Sequence, residues 1–159
     1  MKIIRPCHHK VAEKVKSWLS IKKEALELRE FIKHTKENVE GYYKTAYAIS
    51  HVQVSENPKN FFVLGEALRD DGLVSVYGHW CIINLEIVAE EEPVWFTEAC
   101  MSFPFRKEKP VARMKKVTVK YRVPFLWFTR PVTRKLAGLC AYIAQHESDH
   151  ANGINIYGK

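Results

Sequence analysis

The sequence predicts an α+β fold: an N-terminal helix, antiparallel β-sheets, and a central C-terminal helix. Apolar residues recur at helical spacing through the first third, short β-rich runs bounded by turn residues fill the middle, and a helical pattern returns at the end. With 159 residues, 47% of them hydrophobic, the chain has the size of a single domain with a full core, expected to span residues 1–159.

The elements follow in order. Val11, Val15, Trp18 and Leu19, then Ala25, Leu28, Phe31 and Ile32, with Lys and Glu between them, predict helix from Val11 to about Tyr43. Strands are expected at Phe61–Leu64 after Asn57-Pro58-Lys59-Asn60, at Leu73–Tyr77 after Asp70-Asp71-Gly72, and at Trp80–Ile83. Val94–Phe96, Val117–Val123 and Phe125–Phe128 continue the series. Pro131 to about Ala151 reads as the last helix, with Pro in its first turn and Asn152-Gly153 as its stop.

Composition narrows the function classes. The longest uncharged apolar run, Leu136–Ala144, is too short to span a bilayer, and Met1-Lys2-Ile3-Ile4-Arg5 lacks the pattern of a signal peptide. Cys7, Cys81, Cys100 and Cys140 are far apart with no C-x-x-C, which argues against a disulfide framework or zinc ribbon and for a reducing compartment. A cytoplasmic protein with no membrane partner is expected. The net charge of +7 favours anionic partners without naming one. Lys116, Thr118, Lys120 and Arg122 alternate with Val117, Val119, Tyr121 and Val123, the pattern of a solvated strand face, so no specific nucleic acid is expected.

The chemistry gathers on the last helix. Leu136, Leu139, Cys140 and Ile143 form its apolar stripe, and the same spacing brings His146, Glu147 and His150 to that side. His146-Glu147-Ser148-Asp149-His150 is an H-E-x-x-H arrangement, in which imidazoles one turn apart hold a metal and the adjacent carboxylate acts on water. Titratable groups on a core-facing stripe are costly unless paired or metal-bound. Ala151–Lys159 contain no His, Cys, Asp or Glu, so a third ligand comes from upstream. The imidazole and thiol candidates there are Cys7, His8, His9, His34, His51, His79, Cys81 and Cys100. Cys140 lies on the same helix six residues before His146, about 9 Å along the axis and rotated away from it, which excludes it as the third ligand.

At Glu98-Ala99-Cys100-Met101-Ser102 the sequence resembles the peptide deformylase family, whose E-G-C-L-S cysteine joins the two histidines of Q-H-E-x-D-H. Here the second segment reads Gln145-His146-Glu147-Ser148-Asp149-His150. The family's G-x-G-L-A-A-x-Q is matched loosely by Ala46-Tyr47-Ala48-Ile49-Ser50-His51-Val52-Gln53. A competing alignment through Gly72–Tyr77 would put Tyr77 at the glutamine position. It is set aside because Phe61–Leu64 and Ile83-Asn84-Leu85-Glu86 follow Gln53 in the family's order.

The resemblance implies one divalent metal per chain on Cys100, His146 and His150, with Fe(II) as the working ion and zinc, nickel or cobalt as substitutes. It implies hydrolytic removal of formyl groups from N-formylmethionyl nascent chains, with transient ribosome association. Glu147 is then the general acid/base, and the Gln53 amide and Met101 N–H are the oxyanion donors. Substrate backbone would pair near Tyr47, Ala48 and Ala99, while Phe96, Leu139, Tyr142 and Ile143 line the methionine pocket. Arg113 would pair with Glu98. Alanines at 46, 48 and 99 replace family glycines, and all three are expected at negative φ with the peptide groove intact. Two rival classes stand beside this reading. A metallopeptidase would share H-E-x-x-H but need a longer cleft and another third ligand. A non-catalytic binding protein would be expected to lack Glu147 or Gln53.

Overall fold

The computed structural model describes residues 1–3, 10–35, 39, 46–65 and 73–157. Its elements are α1 (Lys22–Lys33), β1 (Ala48–Ser50), a 3₁₀ turn (His51–Gln53), β2 (Phe61–Leu64), α2 (Leu73–Tyr77), β3 (Cys81–Glu98), β4 (Lys109–Phe125), β5 (Phe128–Ala137) and α3 (Gly138–Ala151). The strands form one five-stranded sheet in the order β1-β2-β3-β4-β5, every pair antiparallel. The predicted α+β class holds.

Strand β2 explains why helices cover both faces of the sheet. All four of its residues are buried, so its alternate side chains feed two cores. Phe61 and Val63 join Ala25, Leu28, Phe31 and Ile32 of α1, while Phe62 and Leu64 join Leu136, Cys140, Ile143 and Ala144 on the α3 side. A third cluster packs Cys100 and Val111 with Ile156 under Phe103 and Tyr157.

Several expected boundaries move. The segment from Val11 to Leu19 is not helical, because its backbone groups find distant partners, and it ends in a turn at Trp18 and Leu19. Ala12 N–H donates to Ala151 O at 2.8 Å, and Val15 is held at both N–H and C=O by the side chain of Asn84, each at 2.8 Å. Leu73–Tyr77 is a helical turn and not a strand. The Tyr77 hydroxyl donates to Cys140 O and its carbonyl accepts from the Tyr121 hydroxyl, both at 2.6 Å, so tertiary bonds override β propensity. Trp80–Ile83 and Val94–Phe96 belong to the single long strand β3, apart from Trp80, which precedes it. Phe125–Phe128 is the turn joining β4 to β5. Pro131–Ala137 is strand, not helix. Pro131 sits on an edge strand, where its missing N–H costs no ladder bond, and Gly138 at φ 56° turns the chain into α3. The Asp70-Asp71-Gly72 turn, the boundary at Tyr43 and the Cys7-His8-His9 cluster lie outside the described residues. The alternation read over residues 116–123 is present, with Val117, Val119, Tyr121 and Val123 all buried.

Candidate metal centre

Helix α3 is fixed to the sheet by the glutamine that opens the motif. Gln145 Nε2 donates to Met114 O at 2.8 Å and its Oε1 accepts from Met114 N–H at 2.8 Å, a two-point tie to β4. The following turn then presents His146, Glu147 and His150 toward the loop after β3. Sγ of Cys100 and one ring nitrogen each of His146 and His150 lie within 4.8 Å of one another, with Sγ 3.3 Å from His150 Nε2. Among the described residues this is the one grouping of three His, Cys, Asp or Glu donors that close. His34, His51, His79 and Cys81 are not part of it, and Cys81 and Cys140 are buried free thiols.

A second layer orients these donors. His146 Nδ1 is 2.7 Å from Glu98 Oε2. An ionised carboxylate only accepts, so Nδ1 carries the proton and Nε2 keeps its lone pair for the site. Burial raises the Glu98 carboxyl, but hydrogen bonds from Arg113 and His146 outweigh it and hold the group down at about 2. The expected Arg113–Glu98 pair is buried and bidentate, at 2.5 Å from Nε and 2.7 Å from Nη2. Arg113 also reaches Asp149 Oδ2 at 2.6 Å, a partner the sequence reading missed. It thereby ties the cysteine-bearing segment to the helix that carries both histidines.

The cavity in front of the donors has a volume of about 440 Å³. Every expected substrate contact lines it: Tyr47, Ala48, Phe96, Ala99, Leu139, Tyr142 and Ile143, with Phe96 and Tyr142 stacked at 4.2 Å. Gln53, Met101, Cys100, His146 and Glu147 line it too, whereas His150 is not among the lining residues. Ala46, Thr97 and Glu108 also face the cavity, although no motif singled out the last two. Tyr77 is not in the lining, so the set-aside alignment gains no support. None of Ala46, Ala48 and Ala99 has positive φ. The described non-glycine residues in that region are Asn84, Glu92 and Leu126.

Gln53 is oriented by the chain around it. Its Oε1 accepts from Ser50 N–H at 2.9 Å, half of a reciprocal cap on the 3₁₀ turn. Its Nε2 therefore points the other way, 3.1 Å from Ser102 Oγ and 3.7 Å from Cys100 Sγ. The Ser102 contact has no signal in the sequence, since it spans 49 positions.

One thiol and two imidazoles suit a borderline-soft divalent ion and leave a tetrahedral site one open position. Glu147 Oε2 is buried and has no hydrogen-bond partner, and burial foremost pushes its carboxyl up to about 7. An orphaned carboxylate oxygen beside three donors fits a metal centre with its water better than a packed core.

Comparison with known proteins points to one family. The sequence profile of the polypeptide deformylase family matches residues 1–159. A peptide deformylase of a Wolbachia endosymbiont of Brugia malayi is 34% identical over 130 residues, covering 75% of this chain and 69% of that protein. The crystal structure of a peptide deformylase from Thermotoga maritima superposes with a TM-score of 0.74 at 26% identity, covering 100% of this chain and 97% of that one. The deformylase of Vibrio parahaemolyticus bacteriophage VP16T, solved with actinonin, gives 0.72 at 27% identity, with 98% and 100% covered. From the profile match and the Wolbachia relative, the chain belongs to the polypeptide deformylase family, whose members are metal-dependent hydrolases.

Proposed function

We propose that the chain acts as one domain that hydrolyses the formyl group from N-formylmethionyl peptides, releasing formate and a free α-amine. The observation that carries this reading is the juxtaposition of the Cys100, His146 and His150 donors with Glu147 and Gln53 on the walls of one cavity. Those three side chains hold the ion, with Fe(II) as the working metal and zinc, nickel or cobalt as substitutes. When bound, the ion supplies Lewis acidity that polarises the formyl carbonyl and acidifies the attacking water. Glu147 takes the proton from that water and hands it to the departing amine, a role suited to a carboxyl held up near 7. Gln53 Nε2 and the Met101 N–H donate to the oxygen that gains charge as water adds to the formyl carbon. Collapse of that adduct breaks the C–N bond and leaves formate.

The peptide backbone lies along Tyr47, Ala48 and Ala99 as an added strand, and the methionine side chain fills the space between Phe96, Leu139, Tyr142 and Ile143. The negative φ at the three alanines supports room for that strand. Nascent chains in the cytoplasm, met during transient ribosome association, are the natural source of such peptides.

The test is formate release from formyl-Met-Ala-Ser by protein purified without oxygen and loaded with Fe(II). Cys100→Ala is expected to lose the metal, and Glu147→Ala to keep one ion per chain while turnover falls by about 10²–10⁴. Full metal content in Cys100→Ala, or unchanged turnover in Glu147→Ala, would overturn the assignment.

A further inference from the structure

The β4–β5 hairpin carries a feature that the hydrolytic site does not use. Pairing of β4 with β3 ends at Arg122, whereas pairing with β5 continues to Phe125–Phe128, so the last pairs project as a two-stranded tip. Four consecutive apolar residues form that tip, and all are exposed: Phe125 45%, Leu126 68%, Trp127 67% and Phe128 45%. Tight turns favour Gly, Asn or Asp, yet the two turn residues are Leu126 and Trp127, and Leu126 holds φ at 53°. Neither solubility nor backbone preference accounts for this choice, and an exposed apolar patch of this kind marks an interaction site.

Charge tells what meets it. Residues 109–137 hold nine cations, Lys109, Arg113, Lys115, Lys116, Lys120, Arg122, Arg130, Arg134 and Lys135, and no Asp or Glu; Arg113, Lys115 and Lys116 are paired with acids of β3 and α3. Five of them lie on the two hairpin strands behind the tip, Arg122 and Arg130 nearest to it and Lys120, Arg134 and Lys135 further back. The Arg130 guanidinium lies 5.7 Å from the Phe125 ring centroid, and Arg122 is braced on Thr129. The one acid of β3 in register with these cations is Glu86, beside Lys120. The aromatic rings turn toward one another, Phe125 on Phe128 at 5.2 Å and Trp127 on Phe128 at 6.2 Å, so the tip presents a knob and not a flat face for base stacking.

We infer that this hairpin tip is an anionic-lipid docking element: Leu126, Trp127 and the two phenylalanines enter the headgroup boundary while the arginines and lysines behind them meet the phosphates. An apolar wedge backed by cations is the combination that holds a protein on a negatively charged bilayer surface. This departs from the expectation of no membrane partner drawn from the absence of a spanning segment. The tip lies 12 residues along β4 from Arg113, about 40 Å of strand, so docking leaves the metal-centre cavity open.

The experiment is co-sedimentation of the full, metal-loaded chain with phosphatidylcholine vesicles, with and without phosphatidylglycerol, at low and high salt. The wild type is expected to pellet with the phosphatidylglycerol vesicles at low salt only. Leu126→Ser with Trp127→Ser, and separately Arg130→Glu with Arg134→Glu, each reduce partitioning at least about tenfold. Thermal midpoints and formate release of both pairs stay at the wild-type value, which separates lost docking from lost folding. Equal binding to phosphatidylcholine alone overturns the inference. So does tip-dependent binding to polyuridylate with no vesicle binding, or absence of binding to either.

Discussion

Replacing Arg113 by methionine keeps an unbranched stem and removes the guanidinium, and with it three charge-assisted hydrogen bonds, from a site whose partners are nearly all dry. The Arg113 side chain is 1% exposed, Glu98 5% and Asp149 15%. Deleting one member of a buried ion pair costs about 3–5 kcal/mol, since the partner charge is left without compensation. Asp149 retains some solvent, which places the expected loss near the lower end, about 3 kcal/mol. Against a total stability of about 5–15 kcal/mol the variant folds with little margin. Urea unfolding of the metal-free protein at pH 7 reads the loss as a midpoint lower by roughly 1–3 M with unchanged slope. Adding Glu98→Met to Arg113→Met removes the stranded carboxylate and restores part of the stability. The same change deprives His146 Nδ1 of its acceptor, so metal affinity falls about 10–100-fold. A loss below about 1 kcal/mol in Arg113→Met, or intact metal affinity in the double variant, would refute the view that this cluster stabilises the fold and orients His146.

Gly65→Ala is expected to destabilise by about 1–3 kcal/mol and to raise KM for formyl peptides. A methyl there would stand 2.4 Å from Ala46 O, on the segment that lines the cavity, so thermal melts and steady-state kinetics should move together. His51 is buried, stacks on Phe61 at 4.7 Å and accepts from Lys59 N–H through Nδ1 at 3.0 Å. Burial lowers its pKa most, Glu24 opposes and Lys59 adds to the lowering, so the unfolded chain takes up the proton first. Stability therefore falls as pH drops below about 6.5 and down through the depressed folded value, and His51→Asn should flatten that dependence in urea midpoints taken at pH 7.5 and 5.5. Gln53→Leu should lower kcat more than it changes KM, because its donor strengthens with charge in the transition state. An unchanged kcat would remove Gln53 from the chemistry.

What could be read in the sequence was periodicity that coincided with chemistry. The stripe of α3 brought ligand-type residues onto a core face, and Ala25, Leu28, Phe31 and Ile32 marked α1, since one buried surface imposed each spacing. Pro131–Ala137 was misread because a proline after a turn suits a helix start and an edge strand equally. Leu73–Tyr77 was too short for period two to be told from helix, and the two tyrosine hydroxyl bonds that decide it cross 63 and 44 positions. The same holds within the site. Cys100, His146 and His150 sit in recognisable local motifs, whereas the Arg113–Asp149 and Gln53–Ser102 contacts exist only once the sheet has brought distant segments together.

The reciprocal cap on Gln53 bears on how this protein can drift under mutation. Polar groups placed for chemistry usually cost stability, so their loss tends to strengthen a fold, and that opens a neutral path to inactive descendants. Glu147 has that character, with a buried oxygen left without a partner. Gln53 has the opposite one, because the amide that faces Cys100 also closes the Ser50 turn. Substitutions at position 53 sacrifice the cap along with the donor, and selection for folding alone would resist them. Relaxed selection on activity should therefore erase position 147 before position 53. A descendant that keeps the glutamine but lacks the glutamate would be the expected relic of a lost function.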